Sequence, residues 1–159
     1  YLVQDRGISA ETASAFASLF YIGITVGRAI NGFLAMKFSD RFLIRTGLCI
    51  IFGGIVLMAI PFGDIPALIG FIVIGIGCAP VYPCIIHMTP DLFGKDKSQS
   101  MIGIQMACAY CGFMIMPPLF GLIANHISIS LLPVFLLVML LLMAVMHESV
   151  VKKTRLKNH

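Results

Sequence analysis

Long apolar runs separated by short polar links set the pattern of this chain. Five runs stand out, from about Ala13 to Met36, Phe42 to Phe62, Pro66 to Met88, Ser100 to Ala124 and Ser130 to His147. Each approaches the ~20 residues an α-helix needs to cross ~30 Å of hydrocarbon. None shows the ~10-residue alternation of a membrane barrel strand. The pattern predicts an all-α fold: a polytopic transmembrane bundle of five helices within residues 1–148, then a basic tail over 149–159. The links are short. Lys37 to Arg41 joins the first two spans, Gly63 to Pro66 reads as a turn, Pro90 to Ser98 is polar and mixed in charge, and Asn125 to Ser128 closes the last gap.

Composition strengthens the membrane reading. Hydrophobic residues make up 59% of the chain and charged residues 11%, against about 25% charged in ordinary soluble domains. Charge position adds direction. Of the 11 Lys and Arg residues, nine fall in three clusters: Lys37, Arg41 and Arg45; Lys95 and Lys97; Lys152, Lys153, Arg155 and Lys157. Apolar runs separate these clusters, which argues against the single basic face that nucleic-acid binding needs. The clusters follow the first, third and fifth spans, and the opposite side carries only Arg6. The positive-inside rule then places the N-terminus outside and the C-terminus in the cytoplasm of a cell-membrane protein. The chain starts at Tyr1 without a visible signal peptide, so an upstream continuation is expected.

Small residues recur within the spans. Gly23 and Gly27 form one ridge at helical spacing, and Gly103, Ala107 and Cys111 form another. Both read as helix-packing surfaces. Pro80, Pro83, Pro117 and Pro118 each lack an amide donor and are expected to bend or break their helices. The five cysteines lie in apolar stretches without metal-ligand spacing and read as small buried residues.

The first span carries the sharpest polar signal. Ser14, Ser18, Tyr21, Thr25 and Arg28 recur on one helical face. An arginine at a helix centre costs at least ~2.5 kcal/mol in lipid, so this stripe is expected to face the bundle interior or a wet cavity. Arg28 has two readings: a ligand for an anionic or hydroxylated substrate, or a snorkelling and gating residue near the cytoplasmic end. Asn31, one turn on, either lines the same cavity or caps a neighbouring helix. Asp40 precedes a helix N-terminus, where a carboxylate is favoured. Lys37, Asp40, Arg41 and Arg45 form either a gating charge cluster or a solvated, orientation-setting loop. Tyr82, Gln105 and Tyr110 complete the candidates; Gln105 suits either sugar hydroxyls or an interhelical hydrogen bond. His87, His126 and His147 fall near span ends and read as interfacial.

Several chemistries lack support. No phosphate-binding loop, metal motif or nucleophile–base pair is present, so the reading is non-enzymatic, with no catalytic residue, metal or cofactor. All seven Asp and Glu residues lie near span ends or in links. A proton-coupled carrier needs an intramembrane acid, which would then lie outside this segment.

Gly27–Arg28, Gly32 and the Asp40–Arg41 link with Arg45 resemble the inner-loop signature of the major facilitator superfamily. The acid here comes eight residues after Gly32, later than that signature's usual four. Tyr82–Pro83 at the end of a Gly-rich span, the loop through Lys95 and Lys97, then Gly112, Pro117 and Gly121 resemble the tenth and eleventh helices of that fold. Gly27–Arg28 and Tyr82–Pro83 are also similar to the L-fucose permease branch of sugar–proton symporters. The resemblance implies helices eight to twelve of a twelve-helix fold, part of its C-terminal half. It implies secondary active transport of a small polar solute, a sugar with protons as coupling ion, by alternating access. The partners would be the solute, the bilayer and a missing N-terminal half. A drug or organic-anion exporter of the same superfamily is the alternative within transport; a non-transporting membrane scaffold or receptor is the alternative outside it.

Overall fold

A computed structural model describes residues 9–60 and 64–157, and among them five long helices and one short 3-10 turn make up the fold. They are α1 (Ala10–Leu34), α2 (Asp40–Ala59), α3 (Asp64–Phe93), α4 (Lys95–His126), the turn Ile129–Leu131, and α5 (Leu132–Lys157). Arg6 and Gly63 lie outside the described residues. Among the described residues, four helices are long and apolar enough to cross a membrane: α2 to α5. α1, at 25 residues, also has the length of a membrane span.

Local chemistry explains where the helices begin and end. Ser39, in extended backbone, precedes α2, and Asp40 occupies its first turn, where the helix dipole favours a carboxylate. The Pro90-to-Ser98 link shrinks to one residue. α3 runs to Phe93, α4 starts at Lys95, and Gly94 between them adopts φ 85°. That left-handed conformation, open to glycine at little cost, reverses the chain in a single residue. Lys95 and Lys97 therefore belong to the first turn of α4. The basic segment after Glu148 is helical as well, because α5 continues to Lys157.

Glycine pairs hold α2 against α3. A Cβ on Gly47 would lie 2.8 Å from the Gly77 carbonyl oxygen, and one on Gly54 2.8 Å from that of Gly70. The pairing of 47 with 77 and 54 with 70 makes the two helices antiparallel. α1 runs parallel to α3: Gly23 meets Ile72 and Ile76, Gly27 meets Ala79, and Phe20 covers Gly75. The first small-residue ridge thus packs as its spacing predicts. Around these contacts sit Ile51, Ile55, Met58, Ile74 and Val81 in one core cluster, and Leu43, Ile44, Cys84, Met88 and Val151 in another. α5 contributes Leu140 and Val151 to these clusters.

Three sequence expectations need correction. The ridge of Gly103, Ala107 and Cys111 packs against nothing here: all three are exposed, and α4 buries no residue. Of bending and breaking, the prolines do not break their helices: α3 and α4 run uninterrupted through them. Pro80 rests against Gly47, whose missing side chain leaves room for the ring. Of the five cysteines only Cys84 is buried; Cys49, Cys78, Cys108 and Cys111 are exposed on faces that α1, α2, α3 and α5 leave uncovered.

Candidate functional site

The parallel packing of α1 on α3 opens a cavity of about 730 Å³ toward the end of the bundle that carries Asp40. Its wall is built by register. Gly27 seats α1 on Ala79, and one turn later Asn31 meets Cys84 of α3, the amide and thiol 3.7 Å apart. Asn31 is 8% exposed, and Cys84 is its hydrogen-bonding partner. Arg28 and Gly32 line the α1 side, Asp40 the start of α2, and Tyr82, Pro83 and His87 the α3 side. His87 Nδ1 lies 2.7 Å from Asp40 Oδ2 and ties the beginning of α2 to the end of α3. The carboxylate is largely covered, at 15% exposure, and the imidazole is open, at 79%. Among the described residues Arg28 is in no ion pair, although its guanidinium borders the cavity. The site thus offers one uncommitted cation, an amide, a phenol and a paired acid and imidazole. That set can bind hydroxyl or anionic groups by hydrogen bonds.

Four sequence-predicted residues meet here: Arg28, Asn31, Tyr82 and Asp40. Tyr21 and Thr25 lie higher on α1, exposed and outside the cavity wall. The polar stripe does not face the interior of these helices. Gly23 and Gly27 occupy the face that packs on α3, so the stripe turns to the uncovered side. Its hydroxyls satisfy themselves within the helix: Ser14 donates to Glu11 O, Ser18 to Ser14 O and Thr25 to Tyr21 O. Tyr110, on α4, is 70% exposed and remote from this cavity. Gln105 reaches across from α4 to α3, its Oε1 3.1 Å from the hydroxyl of buried Thr89. It also borders a separate apolar cleft between α3, α4 and α5.

The charge cluster divides. Lys37 and Arg41 are exposed. Arg45 is engaged by Glu148 of α5 in a two-pronged contact, Nε to Oε1 at 2.7 Å and Nη2 to Oε2 at 2.8 Å. At 63% and 50% exposure this pair orients α5 on α2 more than it stabilises the bundle. Reversing either charge alone, Arg45→Glu or Glu148→Arg, should lower the thermal midpoint of the purified protein, and reversing both should restore it. A double variant no better than the worse single would show that the contact does not form.

Sequence reasoning missed His87 and Glu148 as partners. His87 follows Pro83 by four residues and Cys84 by three, so helical spacing alone placed it on the cavity face. Nothing local linked Glu148 to Arg45, which lies 103 positions away.

Comparison with known proteins bears on the whole chain. The family model of the Major Facilitator Superfamily matches residues 1–158. An uncharacterized MFS-type transporter of Yersinia pestis is 30% identical over 138 residues, covering 82% of this chain and 34% of that protein. The chain therefore spans about a third of the length of the curated relative it matches. No solved structure matches the chain significantly.

Proposed function

The chain belongs to the major facilitator superfamily, and from that premise we propose that it forms part of a secondary active transporter moving a small polar solute by alternating access. The observation that carries this reading is the uncommitted Arg28, set beside Asn31 and Tyr82 in a cavity at the α1–α3 seam. A guanidinium on a lipid-facing surface is costly, so the uncovered side of α1 calls for protein or water opposite it. A second bundle across a central solvent-filled cavity meets that need and would turn Tyr21, Thr25 and Arg28 toward the solute. On this reading α1 to α5 are helices eight to twelve, and the remaining bundle comes from sequence outside this segment. The N-terminal side of α1 faces outward, and the end carrying Asp40, His87 and the lysine clusters faces the cytoplasm of a cell membrane.

Sugar–proton symport fits the hydrogen-bonding groups of the cavity and the sequence likeness to the L-fucose permease branch. A second reading, carriage of an organic anion, is favoured by the charge of Arg28, which is in no ion pair among the described residues. The full-length protein in proteoliposomes, given labelled sugars and labelled organic anions with and without an inward proton gradient, separates them. Gradient-driven sugar accumulation is the expected result. Accumulation of anions alone would select the second reading, and accumulation of neither class would defeat both.

A further inference from the structure

A second recess lies at the same end of the bundle, on the opposite flank of α3. It is a polar pocket of about 500 Å³ between the α3–α4 turn and the end of α5. Lys97 comes from the first turn of α4 and Lys153 from the last turns of α5; Asp91 and Thr154 complete its polar wall. Neither lysine is in an ion pair among the described residues. With one carboxylate against two ammonium groups, the pocket is net positive. The Thr154 hydroxyl already donates to Val150 O at 2.9 Å, so toward a ligand it accepts. Asp91 also accepts. The pocket therefore presents cationic donors for one anionic group and two acceptors for hydroxyl groups beside it.

Leu92 and Phe93 line this pocket and also line the apolar cleft between α3, α4 and α5. The two recesses thus adjoin, with these two side chains between them. The cleft has about 490 Å³ of space and five methionines in its wall, Met101 of α4 and Met143 of α5 among them. Methionine surfaces adapt to flexible apolar occupants. The cleft runs inward from the basic end of helices long and apolar enough to cross a membrane, the level at which the positive-inside rule sets headgroups against hydrocarbon.

We propose that these adjoining recesses form a binding site for an anionic glycerophospholipid with a hydroxylated headgroup, its headgroup in one and an acyl chain passing Leu92 and Phe93 into the other. Lys97 and Lys153 hold its phosphodiester, Asp91 and Thr154 accept from its headgroup hydroxyls, and one acyl chain lies in the methionine-lined cleft. Phosphatidylglycerol has this chemistry. Phosphatidylcholine lacks both the net charge and the hydroxyl donors. Basic pockets between helices at this membrane depth suit such headgroups. The site stands apart from the cavity at Arg28 and does not depend on the transported solute.

The test is lipid retention by the purified full-length transporter. Delipidated protein is offered equal amounts of phosphatidylglycerol and phosphatidylcholine with the same acyl chains, and bound lipid is read by native mass spectrometry. The wild type should favour phosphatidylglycerol on the order of tenfold. The double variant K97Q/K153Q should bind the two lipids equally. K152Q removes a neighbouring exposed charge that does not line the pocket and should keep the preference. M143W, filling the cleft, should reduce retention of phosphatidylglycerol. Equal binding by the wild type would overturn the proposal. So would a K152Q loss as large as that of K97Q/K153Q, which would mean diffuse attraction to a basic surface. Displacement of the lipid by equimolar glycerol 3-phosphate would remove the acyl cleft from the site.

Discussion

Gly70→Ala should cripple assembly of the bundle, while Gly103→Ala should be tolerated. A Cβ at Gly70 would lie 2.6 Å from the Gly54 carbonyl oxygen and 2.7 Å from the Met58 amide nitrogen. Both are backbone atoms, so no side-chain rotation relieves the contact. α2 and α3 must part, and their seam carries Ile51, Ile55, Met58, Ile74 and Val81. Overpacking a core typically costs about 1–3 kcal/mol, and a backbone obstacle puts this case at the upper end. At Gly103 an added Cβ meets nothing within 4 Å. Its better helix propensity, worth up to about 1 kcal/mol in an exposed helix interior in water, is then free to act. Thermal midpoints of the purified variants measure the contrast. Equal midpoints for the two would mean that the glycine pairs do not set the helix spacing.

The second large effect is on transport. Arg28→Ala should lower solute uptake by roughly 10- to 100-fold, the range expected for losing a charged hydrogen bond of about 1.5–3 kcal/mol. The protein should still fold, because Arg28 is exposed and in no ion pair among the described residues. Arg28→Lys keeps the charge but loses the planar fork, so it should fall between wild type and Arg28→Ala if the solute bears a carboxylate or vicinal hydroxyls. Initial uptake rates at several solute concentrations, in proteoliposomes of matched protein content, give the comparison. Wild-type uptake in Arg28→Ala would remove this residue from the binding site and leave it a helix-end anchor.

These two predictions draw on different kinds of information. The ridge at Gly23 and Gly27 was legible as a packing surface from spacing alone, and it packs. The ridge at Gly103, Ala107 and Cys111 has the same spacing and packs on nothing in these helices. Small residues permit close approach but do not say which neighbour makes it. The decisive pairs, Gly47 with Gly77 and Gly54 with Gly70, depend on the relative slide of two antiparallel helices. No local pattern encodes that slide.

The sequence by itself determined the solvent class, the helical fold and the rough extent of the helices. These follow from local quantities: apolar run length, backbone hydrogen bonds closed within a segment, and charges excluded from hydrocarbon. It also marked Arg28, Asn31, Asp40 and Tyr82 as polar groups in need of an explanation. Only the tertiary structure decided that these four share one cavity and that Gln105 is held by Thr89. It alone showed that Asp40 pairs with His87 and Arg45 with Glu148. Those partnerships join separate helices, and the rotation and slide of one helix on another are set by the summed fit of many side chains, which no single stretch of sequence contains.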